Sequence, residues 1–116
     1  MAFVATTDAA RARAFYVDLL GLRLVADEPF ALVLDSGGVA VRVQKVRRIA
    51  PSPYTVLGWS VPDIGAAMER LRASGVRFES FGLPGQDEAG LWTAGDGTRV
   101  AWFKDPDGNV LSLTQF

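Results

Sequence analysis

Short apolar runs rich in β-branched residues alternate with stripes at helical spacing, and the whole order occurs twice. Residues 2–7 are short, apolar and Thr-rich, the pattern of a strand. Asp8 then offers a side-chain oxygen to cap a helix, and Ala12, Phe15 and Leu19 follow at helical spacing as its buried face. Gly21 ends that helix as a left-handed residue. Three strands are predicted at about 22–27, 30–34 and 39–45, with turn chemistry in Asp35-Ser36-Gly37-Gly38. Residues 46–53 (VRRIAPSP) break the pattern and predict an exposed connector.

The order then starts again. Residues 54–61 (YTVLGWSV) predict a strand, Asp63 a cap, Ile64, Met68 and Leu71 an apolar stripe, and Gly75 a stop. Strands follow near 76–80, 90–94, 98–103 and 109–115, the last pair joined by the turn Asp105-Pro106-Asp107-Gly108. Asp8 and Asp63 stand at nearly the same separation as Gly21 and Gly75, which predicts a duplicated unit. The chain is therefore expected to be a single α+β domain of 116 residues. It would hold two βαβββ modules, about 1–46 and 54–116, that form a half-closed antiparallel barrel with a central cleft.

Strand alternation then sorts side chains by face. Val110, Ser112 and Thr114 share the cleft face of the last strand. Pairing Phe103 with Val110 adds Arg99, Ala101 and Phe103 to that face and sends Val100 and Trp102 to the core. In the first half Ala40, Arg42 and Gln44 face inward opposite Ala31 and Val33, as do Phe3 and Ala5 on the first strand. Tyr54, Val56, Gly58 and Ser60 line the fifth strand, Trp59 joins the core, and Trp92 follows the loop GLPGQDEAG at the rim. The candidate ligand-binding set is Phe3, Val33, Arg42, Gln44, Tyr54, Val56, Gly58, Ser60, Trp92, Arg99, Phe103 and Ser112. Arginine beside aromatic faces suits an anionic or conjugated planar ligand. Arg42 has a second reading, as the partner of Glu28 or Asp27.

Composition narrows the chemistry. The chain has no cysteine and no histidine, so thiolate catalysis, disulfides, zinc–thiolate sites and imidazole acid–base chemistry are all absent. The net charge is −1, and Arg47-Arg48 is the only basic doublet, so no nucleic-acid surface is expected. No run approaches the roughly 18 apolar residues of a membrane span, and the N-terminus lacks the pattern of a signal peptide. A cytoplasmic protein is expected.

Three segments carry a resemblance: DAARARAFYVDLLGL at 8–22, VPDIGAAMERLRASGVRF at 61–78 and RVAWFKDPDGNVLSLTQF at 99–116. Together they resemble the vicinal-oxygen-chelate superfamily of glyoxalase I, extradiol dioxygenases, fosfomycin-resistance enzymes and bleomycin-resistance proteins. The resemblance implies paired βαβββ modules and a homodimer whose clefts both chains complete. Its metal-dependent members place His, Glu or Gln at four strand positions, which fall here on Met1, Arg42, Val56 and Ser112. That set does not suit a divalent cation, and a shift of one residue gives only Ala2, Val41, Val43, Leu57, Leu111 and Leu113. Gln44 stands alone as a nearby ligand. The expectation is a protein without metal or cofactor that binds a small aromatic or amphipathic molecule, in the manner of bleomycin-resistance proteins. The alternatives are a metal-free isomerase or lyase of the glyoxalase superfamily, a dioxygenase-like enzyme with unusual ligands, and a module whose cleft is vestigial.

Overall fold

A computed structural model describes residues 1–116. The strands are β1 (Ala2–Thr6), β2 (Arg23–Asp27), β3 (Ala31–Ser36), β4 (Val39–Lys45), β5 (Thr55–Ser60), β6 (Trp92–Thr93), β7 (Arg99–Lys104) and β8 (Val110–Gln115). The helices are α1 (Ala9–Arg13), continued by a π-helical turn Ala14–Leu19, and α2 (Ile64–Ala73). Two compact units result. One holds Met1–Ser52 with Asp105–Asn109, the other Pro53–Lys104 with Val110–Phe116. Each carries one four-stranded sheet, in the orders β1-β4-β3-β2 and β5-β8-β7-β6. The α+β class and the two βαβββ modules are as expected. The sheets are mixed, however, and not purely antiparallel: β1 runs parallel to β4, and β5 parallel to β8. Parallel neighbours need a long crossover, and each module's helix lies within that connection.

In the first unit the Asp8 carboxylate caps α1 by accepting from Arg11 N at 3.1 Å. The helix then widens into its π turn. Tyr16 is fully buried, whereas Phe15 and Leu19 are only half-buried, so the aromatic of the core is one position later than the plain helical spacing placed it. Gly21 (φ +82°) closes the segment, with Leu22 N donating to Tyr16 O at 3.0 Å. Beneath the helix, Leu32, Leu34, Val41 and Val43 alternate into the core. Val39, on the same side of β4 as Val41 and Val43, is exposed at the strand's start.

The turn Asp105–Asn109 also belongs to this unit, and here the hairpin motif does more than reverse the chain. Asp105 is buried, and its carboxylate accepts four hydrogen bonds. Oδ2 takes the Tyr16 hydroxyl at 2.6 Å and Asn109 Nδ2 at 2.8 Å. Oδ1 takes Asp107 N at 3.0 Å and Asn109 N at 2.9 Å. Asn109 Nδ2 also donates to Ala5 O at 2.9 Å. Asp107 accepts from the Thr6 hydroxyl at 2.6 Å and from Thr7 N and its hydroxyl at 2.9 and 2.8 Å. A buried carboxylate is tolerable only when its oxygens are satisfied in this way. Burial and the Asp105 charge push the Tyr16 hydroxyl far above its ordinary range, so it remains a donor. For Asp107 burial acts upward, but the hydrogen bonds from Thr6 and Thr7 and the charge of Arg11 outweigh it and hold the carboxyl below its ordinary value.

In the second unit Asp63 caps α2 through Ala66 N at 3.1 Å, and Gln115 Oε1 accepts Ile64 N at 2.8 Å. Ile64, Ala67, Met68 and Leu71 are buried, as are Ala101, Phe103, Leu111 and Leu113 on β7 and β8, the strands that α2 packs on. The β7–β8 register pairs Lys104 with Val110 and Phe103 with Leu111. This is one residue away from the expected pairing of Phe103 with Val110. The predicted strand at 76–80 shrinks to a single bridge, Phe78 with Phe103. The chain then leaves the sheet and returns to β7 only at Trp92, opposite Val100.

Two predictions follow from the Asp105 turn. Tyr16→Phe removes one of four donors and should cost about 1–3 kcal/mol, while Asp105→Ala strands all four and should cost more. Both are read as falls in the urea midpoint at unchanged slope. Because its folded pKa is depressed, Asp107 stabilises fully above its ordinary value of 3.8 and loses that contribution as pH falls through the lower folded value. Urea titrations of wild type and Asp107→Asn should therefore differ near neutral pH and converge well below that value.

Candidate functional site

The register of the second sheet decides which side chains share its open side, the face opposite Leu57, Leu111 and Phe103. Across β5, β8 and β7, Gly58 lies beside Ser112 and Ser112 beside Trp102. The next row runs Ser60, Thr114, Val100 and Trp92 across all four strands. Cross-strand neighbours point to the same side, so these seven residues form one face. It is neutral: Lys104, the charged β7 residue on this side, stands at the strand's end with its Nζ 3.6 Å from Glu79 Oε1.

Aromatic rings gather on it. Trp102 meets Phe81 at 5.4 Å between centroids and 64° between planes, and Trp92 at 6.1 Å and 41°. The Trp92 indole N–H donates to Pro84 O at 3.0 Å, which satisfies its polar atom within the loop. Trp102 and Trp92 are half-buried and Phe81 is 46% exposed, so part of each ring remains open. Ser112 is buried to 8% exposure, and its hydroxyl makes no hydrogen bond among those of the chain. Gly58 leaves space beside it: a Cβ at that position would collide with Ser112 Oγ. The resolved pKa shifts belong to Tyr16, Asp96 and Asp107, none of them on this face.

The predicted site residues divide into groups. Gly58, Ser60, Trp92 and Ser112 lie on the open face just described. Val56 sits at the irregularity between Thr55 and Leu57, and Tyr54 precedes β5 with its side chain exposed. Arg99 and Phe103 fall on the opposite, helix-covered face, because the one-residue change of register turns every β7 side chain over. Phe103 is fully buried, with its ring 5.8 Å from Phe78. The same change brings Trp102, expected in the core, onto the open face. Phe81 carried no periodic signal and was missed. In the first sheet Phe3 and Val33 both pair with Arg42, and Ala5 and Ala31 both pair with Gln44, so Phe3, Val33, Arg42 and Gln44 share one side. Arg42 Nη2 donates to Glu28 Oε2 at 3.3 Å.

The family resemblance implies a metal, and the residues do not fit one. Met1 is exposed, Arg42 is an ion-paired cation, Val56 has no donor atom, and Ser112 offers a single hydroxyl. No group of three or more His, Cys, Asp or Glu is assembled anywhere in the chain. No helix is long and apolar enough to cross a membrane.

Comparison with known proteins places this geometry in context. Residues 1–113 match the family model described as Glyoxalase/Bleomycin resistance protein/Dioxygenase superfamily. No curated protein matches the sequence. A solved member of that superfamily from Sphaerobacter thermophilus is similar at a TM-score of 0.76 and 27% identity, over 99% of this chain and 94% of that one. The antibiotic binding protein TnmS3 from Streptomyces sp. CB03234 is similar at 0.69 and 28%, over 97% and 90%. Lactoylglutathione lyase from Agrobacterium tumefaciens shares the fold at 0.74 and 17%, over 99% and 92%.

The tight approach of Gly58 to Ser112 predicts a measurable coupling. Gly58→Ala should destabilise by about 1–3 kcal/mol through overpacking. Ser112→Ala alone should change little. In Gly58→Ala/Ser112→Ala most of the loss should be recovered, and a double-mutant cycle from urea unfolding reads the coupling directly.

Proposed function

For a chain that belongs to the Glyoxalase/Bleomycin resistance protein/Dioxygenase superfamily, we propose metal-independent binding of a small, neutral, planar aromatic molecule on the open face of the second sheet. The observation that carries this reading is the cluster of Trp102, Trp92 and Phe81 beside the Ser112 hydroxyl, on a face whose two charged side chains, Lys104 and Glu79, are paired with each other. A flat ring would lie against the indoles, where aromatic contacts contribute about 0.5–1.5 kcal/mol each beyond burial. A carbonyl oxygen on that ring would accept from Ser112, which fixes its orientation. The cationic anchors expected from sequence are not on this face. Arg99 lies behind it, so the ligand is neutral and not anionic.

Support also comes from TnmS3, an antibiotic binding protein that shares 28% of its sequence with this chain. By that likeness the natural ligand is an antibiotic, and its sequestration is the biological role. The reading includes a homodimer and a cytoplasmic setting, in line with the family resemblance and the cysteine-free composition.

Acridone, a neutral planar tricycle with one carbonyl, tests the reading. Titration should quench tryptophan emission and raise the melting temperature in proportion to the logarithm of excess acridone. Trp102→Ala should weaken binding at least tenfold, about 1.4 kcal/mol. Chelator or added divalent metal should leave binding unchanged. A metal requirement, or equal binding by Trp102→Ala, contradicts the proposal.

A further inference from the structure

The two sheets differ at one strand. In the first, the strand after the helix runs beside β3 as one segment, Arg23–Asp27, with a single register shift. In the second, the equivalent strand is divided: Phe78 pairs with Phe103, Glu79 N donates to Trp102 O at 2.8 Å, and pairing resumes only at Trp92 with Val100. The intervening loop therefore leaves the sheet beside Ala101, at the level of the aromatic face.

The loop is fastened from within by one side chain. Gln86 Oε1 accepts Phe81 N at 2.9 Å, while its Nε2 donates to Glu79 O at 3.0 Å and to Gly90 O at 2.9 Å. A single amide thus joins the loop's departure, its first aromatic and its return. The far end is held separately, by Asp87 Oδ1 accepting Ala89 N and Leu91 N, both at 2.9 Å, and by Gly90. Gly90 sits at φ +92°, where an added Cβ would lie 3.1 Å from Phe78 Cβ. Between these ties the tip carries Phe81 against Trp102, and Pro84 O against the Trp92 indole.

We propose that this loop is the specificity wall of the aromatic site, with Phe81 as the contacting residue and Gln86 as the positioning residue that holds Phe81 over Trp102. The proposal rests on the binding reading above and deepens it. A ring stacked on Trp102 beside the loop would lie against Phe81, so the wall governs release more than capture. Loss of the Gln86 amide frees Phe81 N, Glu79 O and Gly90 O to water and lets the tip move without touching the sheet's core.

Stopped-flow fluorescence with acridone separates the possibilities. Gln86→Ala should raise the dissociation rate about tenfold and change the association rate by less than about threefold, with faster amide exchange confined to the loop. Phe81→Ala, at an exposed position, should raise dissociation to a similar extent, and Gln86→Ala/Phe81→Ala should be no worse than Phe81→Ala alone. If wild type binds acridone but Gln86→Ala releases it at the wild-type rate, or the two effects multiply, the wall is refuted and the aromatic face stands. If Gln86→Ala does not fold, an unchanged dissociation rate in Phe81→Ala refutes the wall by itself. If wild type does not bind acridone, both proposals fail.

Discussion

A buried carboxylate with four donors is the constraint around which this chain is arranged. Asp105 is buried, so its oxygens must find hydrogens inside the protein, and the residues that supply them, Tyr16 and Asn109 among them, are far apart in sequence. Tyr16 comes from the π turn after α1, and Asn109 from the end of the hairpin turn itself. The Asn109 amide then passes the connection on to the backbone of β1 at Ala5, and Asp107 does the same through Thr6 and Thr7. The widened helical turn has its physical purpose here. It sets Tyr16, and not Phe15, on the buried side, with a hydroxyl in reach of Asp105. Because the Asp105–Asn109 turn joins β7 to β8, its length also fixes their register, and the register decides which residues of β7 meet solvent.

The site follows from that geometry. Five residues, Asp105 to Asn109, lie between the paired Lys104 and Val110. Counting outward from this pair puts Ser112 beside Trp102 and Thr114 beside Val100 on the open side, and Leu111 beside Phe103 on the helix side. Trp102 is thus free to gather Phe81 and Trp92 around it, while Phe103 packs on Phe78 in the core. The face combines a broad π surface with the Ser112 hydroxyl, which is seated over Gly58 in the space that a Cβ would fill. Such a surface rewards a flat, uncharged ligand and offers little to a metal or an isolated anion.

Much of the fold was legible because its signals are local. Asp8 and Asp63 cap the helices they were expected to cap, and Gly21 and Gly75 take the left-handed conformation at the ends. Alternation put Ala31 and Val33 on the same side as Arg42 and Gln44, and the register pairs Val33 with Arg42 and Ala31 with Gln44, because the short Gly37-Gly38 turn leaves little freedom. The β7–β8 hairpin was harder. Its Asp-Pro-Asp-Gly-Asn turn draws its geometry from hydrogen bonds to residues about a hundred positions away, which no local pattern records. An error of one residue there exchanged Trp102 with Phe103. The loop GLPGQDEAG was legible as a rim, but the role of Gln86 was not, because the loop's order comes from one amide bonding three backbone groups and not from periodicity.

The three indoles allow the central claim to be tested in one spectrum. Trp102 and Trp92 lie on the open face, and Trp59, paired with Leu113, lies on the other side of the same sheet. In a proton–nitrogen correlation spectrum of the 15N-labelled protein, saturating acridone should shift the indole signals of Trp102 and Trp92 and leave that of Trp59 in place. Perturbation of Trp59 alone, or no movement of any indole while acridone is demonstrably bound, would place the ligand elsewhere and contradict the account.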